Sequence, residues 1–210
     1  MSLFGVVALV GLAIAALVAL LVAMRPQLTR GSGGKALAFL ALFVLPIAGG
    51  WVGFNQHMQA AESTQFCLSC HVMAPYGRSL YVDDPSYVPA VHYQNRLVPR
   101  EDACYTCHTD YTLFGTVQSK WRGLHHIYVE YLGHIPAPDK IHLYTPFNNR
   151  ECLYCHLGAR PFEEEPSHNK QPGEMARIKD NQLSCMSSGC HDTVHAIDSL
   201  SQASFWKPRS

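Results

Sequence analysis

The sequence predicts a mainly α-helical protein with long loops, in which a transmembrane helical anchor over residues 1–54 precedes a polar head over residues 55–210. Three observations predict it. Two long apolar runs open the chain, and the whole of residues 1–54 carries only three charged side chains, Arg25, Arg30 and Lys35. All eight cysteines and all twelve histidines fall after residue 54. The 16 Lys and Arg balance the 16 Asp and Glu, which excludes nucleic acid as the main partner, because phosphate backbones demand a basic surface.

The first run, Leu3 to Met24, has 22 uncharged residues. At about 1.5 Å per residue it spans a hydrocarbon core of about 30 Å. A cleaved signal peptide is the competing reading, but Met1-Ser2-Leu3 offers no basic side chain for a positive n-region. The second run, Ala36 to Phe54, is also uncharged and carries Pro46 and Gly49-Gly50, which membrane helices tolerate better than soluble ones. Its competing reading is a buried core helix. The connector holds all three basic residues and Gly31, Gly33 and Gly34. The positive-inside rule puts this connector in the cytoplasm, so the head faces the periplasm or the outside of a cytoplasmic (inner) membrane.

The cysteines form four pairs, each closed by a histidine: Cys67-Leu-Ser-Cys70-His71, Cys104-Tyr-Thr-Cys107-His108, Cys152-Leu-Tyr-Cys155-His156 and the wider Cys185-Met-Ser-Ser-Gly-Cys190-His191. C-x-x-C-H is the attachment signature of c-type haem. Two thiols add to the two haem vinyl groups, and the next residue is held where its imidazole ligates the iron. Disulfides give no reason for a histidine after every second cysteine, and zinc prefers its Cys and His ligands spaced apart. Four such coincidences would arise by composition about once in 10⁵ sequences. The head is therefore expected to be a multihaem cytochrome c with four covalent haem c groups. The motifs start 37, 48 and 33 residues apart, too irregularly for a structural repeat. Porphyrins then supply much of the apolar interior, so long loops are expected.

The clearest helix of the head is predicted over about Thr112–Leu132, where Leu113, Val117, Trp121 and Leu124 recur at three- and four-residue intervals. The membrane helix is expected to continue through Phe54–Glu62. Pro136-Ala-Pro138 and Glu163-Glu-Glu-Pro166 read as loops.

Over about residues 36–200 the chain resembles the NapC/NirT/NrfH family of membrane-anchored tetrahaem quinol dehydrogenases. The carriers are the apolar helix before the first motif, Cys67-Leu-Ser-Cys70-His71-Val-Met73, Val91-His92-Tyr93-Gln94-Asn95-Arg96, and Leu132-Gly133-His134. It departs from the family in its extra leading helix and its wide fourth site. The resemblance implies either His71 or Met73 as the ligand of the first haem. Distal ligands must come from histidines outside the motifs. The resemblance assigns His92 to the fourth haem and His195 to the third, and His134 is the candidate for the second. It also implies a quinol-binding lysine at Lys120, with Glu130 as the candidate proton acceptor.

Packed haems conduct electrons, and a membrane tether points to quinol as their source. The leading functional reading is therefore oxidation of quinol, with electrons passed to a periplasmic reductase or another multihaem cytochrome in respiration. Two other readings stay open on sequence: a terminal reductase of a small nitrogen or sulfur oxyanion at an open haem, and a passive relay subunit of a larger membrane complex.

Overall fold

The computed structural model describes residues 3–143 and 147–207, omitting the side chains of Leu3, Phe4 and Ala8. The chain divides into two compact units, Met1–Ala61 and Glu62–Ser210.

The first unit is a helical hairpin. Helix α1 spans Leu3–Met24 and helix α2 spans Ser32–Ala60, both long and apolar enough to cross a membrane. The two meet through small side chains: Ala15 is 5% exposed and Ala41 2%. Small residues let helices approach closely where no hydrophobic effect drives them together. Their larger apolar side chains, such as Leu20, Phe39 and Trp51, face outward. Between the helices runs a single 3-10 turn, Pro26–Thr29. Gly34 is required beside it, because a Cβ there would meet the Leu28 carbonyl oxygen at 1.7 Å. Within α2 a π turn covers Leu40–Val44, with Leu45 between it and Pro46. Proline lacks an N–H and its ring crowds the carbonyl four residues back, and a widened turn relieves both problems.

The second unit is built from short helices. They are α3 (Thr64–Cys67), α4 (Ala74–Ser79), α5 (Val88–Gln94), α6 (Ala103–His108), α7 (Gly115–Leu132), α8 (Asn149–His156), α9 (Arg160–Glu163) and α10 (Glu174–Lys179). Among the described residues there is no strand, only an antiparallel bridge between Val82 and Phe205. A small core of Val82, Tyr87, Ala90 and Leu200 collects Ala196, Ile197, Ala203 and Phe205 around it. It clamps the segment after the fourth motif onto α5, helped by the Asp83 N–H to Ser204 bond at 2.9 Å and the Trp206 N–H to Tyr81 bond at 2.8 Å.

The α-helical class and the long loops agree with the sequence expectation. Helix α7 starts at Gly115, where a Cβ would meet the Asp110 carbonyl oxygen at 1.6 Å, so the preceding loop closes tightly on the helix start. Leu113 falls before the helix, and the apolar stripe of Val117, Trp121 and Leu124 on it is exposed, as is Leu113.

Candidate functional site

The two-residue spacing of the first three motifs is one helical turn, which sets both cysteines on the same face. Cys67 ends α3, whose first turn is capped by the Ser63 hydroxyl accepting from the Phe66 N–H at 3.1 Å. A 3-10 turn over His71–Met73 then leads into α4. His71 is exposed and Met73 half-buried. The second motif lies within α6 and the third within α8, the latter capped by the Asn148 side chain accepting from Arg150 N–H at 2.9 Å. The fourth is a closed loop. The His191 N–H bonds back to the Cys185 carbonyl at 3.0 Å, Gly189 turns the chain at φ +81°, and its N–H reaches the Asp192 carboxylate at 3.0 Å. The longer insert is thereby folded so that its ends remain neighbours.

Polar side chains, with Thr64 and Asn149 buried among them, tie the motifs to each other. Thr64, 7% exposed, accepts from the Ala103 N–H at 2.9 Å and joins the first motif to the second. Tyr111 stacks on Tyr154 with ring centres 3.9 Å apart, and Arg150 pairs with Asp110 at 3.1 Å, joining the second to the third. Asn149, 1% exposed, donates to the Ile178 and Leu183 carbonyls and accepts from the Cys185 N–H, joining the third to the fourth. First cysteines of neighbouring motifs also meet. The Cys67 thiol donates to Cys104, which raises its own pKa and pulls Cys104 down to about 7. Cys152 donates to Cys185 in the same way, raising the first and lowering the second.

Three motif histidines each face a histidine from elsewhere in the chain. Ring centres lie 6.2 Å apart for His108 and His195, 6.0 Å for His156 and His92, and 6.2 Å for His191 and His168. Direct ring stacking would bring such centres closer. Two imidazoles bound to one metal, with bonds of about 2 Å and about 1 Å from nitrogen to ring centre, stand about 6 Å apart. The donor set therefore fits haem iron held between paired imidazoles. Each non-motif ring is tied through Nδ1: His92 to the Val88 carbonyl at 2.8 Å, His168 to the Phe162 carbonyl at 3.0 Å, His195 to Ser79 Oγ at 2.7 Å. Burial, then the neighbouring His108, pushes His195 down to about 4, which keeps it a neutral donor.

His92 faces the third motif's His156, where the resemblance gives it to the fourth haem, and His195 faces the second motif's His108, where the resemblance gives it to the third. His134 is exposed beyond α7, and the ring against His108 is that of His195. His168, one of several unassigned histidines in the sequence, is the one that faces His191. Among the described residues no histidine ring faces His71 as these do.

Lys120 sits on α7 with 17% of its side chain exposed. Its ammonium lies 3.7 Å from a Glu62 oxygen and 4.7 Å from the centre of the Tyr105 ring. Burial lowers its pKa, and the Glu62 carboxylate opposes that shift. Glu130 is not brought to it: ten residues along one helix is about 15 Å. A cleft of about 390 Å³ opens beside Glu62, lined also by Tyr105, Thr109, Tyr111 and Tyr154. The Tyr105 and Thr109 hydroxyls are buried there without hydrogen-bond partners among the described residues.

Comparison with known proteins agrees with this chemistry. The chain is 29% identical over 135 residues to the cytochrome c-type protein NapC of Escherichia coli, a match covering 57% of this chain and 64% of that protein. It is 29% identical over 181 residues to the cytochrome c-type protein TorC of Escherichia coli, covering 77% of this chain and 40% of TorC. It is 27% identical over 157 residues to the denitrification system component NirT of Stutzerimonas stutzeri, covering 69% and 73%. The match thus spans less than two thirds of the NapC and TorC chains. No solved structure matches. The model of the NapC/NirT cytochrome c family, N-terminal region, matches residues 32–199, which takes in the second apolar helix and all four Cys/His motifs. Covalently bound haem c follows from that membership, and the chain belongs to the NapC/NirT cytochrome c family.

Proposed function

We propose that the chain is a tetrahaem c-type cytochrome, anchored by α1 and α2 in the cytoplasmic membrane with its head on the periplasmic side, which oxidises quinol and passes electrons to a periplasmic reductase or another multihaem cytochrome. The observation that carries the reading is the contrast among the motifs. Three motif histidines face a second imidazole, and the first motif has none among the described residues. Haems at the second, third and fourth motifs would each have two imidazoles to hold them, which suits electron relay, and a haem at the first would have one, which suits contact with a substrate. The names of the relatives NapC, TorC and NirT support an electron-transfer role.

Haem c would supply one-electron redox chemistry, held by the eight motif cysteines, by His108, His156 and His191 with His195, His92 and His168 opposite, and by His71 or Met73 in the first motif. The chain's own residues manage the quinol protons. Lys120, with its pKa lowered by burial, holds a developing quinol oxyanion or hands on a proton. Glu62 is the carboxylate within its reach and takes the place expected for Glu130. The aromatic lining of the adjacent cleft suits a quinol headgroup. The test compares Lys120→Met with the unaltered chain, using a menaquinol analogue and dithionite as alternative reductants. The reading requires loss of quinol oxidation with dithionite reduction of all haems retained. Full quinol activity in the variant removes Lys120, and an unaltered chain inactive with quinol favours a passive relay.

A further inference from the structure

His195 stands in a backbone that resists being there. It has φ +57° and the next residue, Ala196, has φ +32°, and neither is glycine. Such positions persist only where their surroundings over-determine them. Here the Tyr87 hydroxyl donates to the carbonyls of both residues, and Tyr87 is itself in the small core with Ala90, Val82 and Leu200. The ring is bracketed as well. The Tyr76 ring meets it edge-on at 5.2 Å between centres, and Tyr76 is pinned by its own hydroxyl to the Pro138 carbonyl at 2.7 Å.

Ser79 completes this enclosure and decides where the imidazole proton sits. It is 0% exposed. Its hydroxyl has one hydrogen, which is donated to the Tyr76 carbonyl at 2.7 Å. Toward His195 Nδ1, 2.7 Å away, the oxygen can therefore only accept. The proton must lie on Nδ1, and Nε2 carries the lone pair. His92 and His168 reach the same tautomer through backbone carbonyls. His195 alone among the three depends on a side chain, so a single substitution can remove its acceptor and leave the backbone unchanged.

We propose that Ser79 is a positioning residue for the haem attached at Cys104 and Cys107: its hydroxyl fixes the tautomer and orientation of His195 and, by accepting the Nδ1 proton, raises the electron donation of that imidazole to iron. The inference rests on the reading of His195 as the ligand opposite His108. An acceptor on the far nitrogen increases ligand basicity, which favours the ferric state. Donation to Tyr76 polarises the Ser79 hydroxyl and strengthens it as an acceptor.

The experiment uses the full-length, haem-loaded chain in detergent, with redox titration of each haem and electron paramagnetic resonance. Ser79→Ala should raise one of the haem midpoints and alter the g-values of one low-spin haem, leaving the others and the haem content unchanged. Ser79→Thr keeps the hydroxyl and should restore the wild-type midpoint. Unchanged midpoints and g-values in the Ala variant would overturn the inference, as would a Thr variant shifted as far as Ala, since packing would then explain both. If the Ala variant fails to take up haem, the unaltered chain carries the test. The His195 Nδ1 proton should then exchange slowly with deuterated water, and prompt exchange overturns the inference. His195→Ala separates the two levels. If it leaves every low-spin haem in place, the ligand reading fails independently of Ser79.

Discussion

Asn149 offers the sharpest test of how the head is held together. Replacing it with Ala removes a side chain that is 1% exposed and makes three hydrogen bonds, to the Ile178 and Leu183 carbonyls and from the Cys185 N–H. The Ile178 carbonyl keeps another partner in the Asn181 N–H. Losing that bond costs about 1 kcal/mol, and stranding the Leu183 and Cys185 groups costs about 1–2 kcal/mol each. The expected loss is about 3–5 kcal/mol, or on the order of 10 °C in Tm for a chain of this size. The assay is thermal unfolding of the solubilised, haem-loaded protein followed by Soret absorbance. Asn149→Leu, which keeps the branched shape but adds bulk and no hydrogen bond, should be at least as damaging. Asn149→Asp adds a pH signature. A carboxylate facing two carbonyls has its folded pKa raised above the unfolded value of about 3.9, so the stability linked to it is present at low pH and lost as pH rises through the folded pKa. That variant should be less damaged at pH 5 than at pH 8. A Tm shift below about 2 °C for the Ala variant would refute the role given to this side chain.

Three further outcomes are expected. Pyridine haemochrome should count four haems per chain, retained after denaturation, and a count of three would remove the wide Cys185/Cys190 site, the one that departs from C-x-x-C-H. His168→Ala should convert one low-spin haem to high-spin and His134→Ala should convert none, and the reverse result would reject the histidine pairs as ligands. Reporter fusions at Gly33 and at the C-terminus should report opposite compartments, whereas N-terminal sequencing that begins near Arg25 would show the first run to be cleaved.

The Cys/His motifs are legible in sequence because covalent haem attachment needs its groups contiguous: on the proposed reading one haem would use both Cys107 and His108. The apolar hairpin was legible for a similar reason, since a bilayer imposes its thickness on a continuous run. The histidine partners are not, because a ring that faces a motif histidine from elsewhere in the chain arrives there only through folding. His92 and His195 were recognised as distal candidates, yet the motifs they face follow from the packing of α5 and of the Tyr87 core. Glu62 was missed because nothing in its local sequence links it to Lys120. Thr64, Ser79 and Asn149 were missed because an isolated polar residue carries no periodic signal and its role exists only once it is buried. The stripe on α7 was read correctly as helical, but periodicity says nothing of what covers it.

The contacts between first cysteines constrain how such a chain can be made. The Cys67 thiol hydrogen-bonds Cys104 and the Cys152 thiol hydrogen-bonds Cys185, so each bond joins thiols of different motifs. In an oxidising compartment, a thiol drawn down to about 7, as Cys104 is, reacts readily. Two such misplaced disulfides would disable all four attachment sites at once. Compaction ahead of haem attachment would then work against it, and a chain given its porphyrins before these thiols meet, or kept reduced until it is, would escape both cross-links.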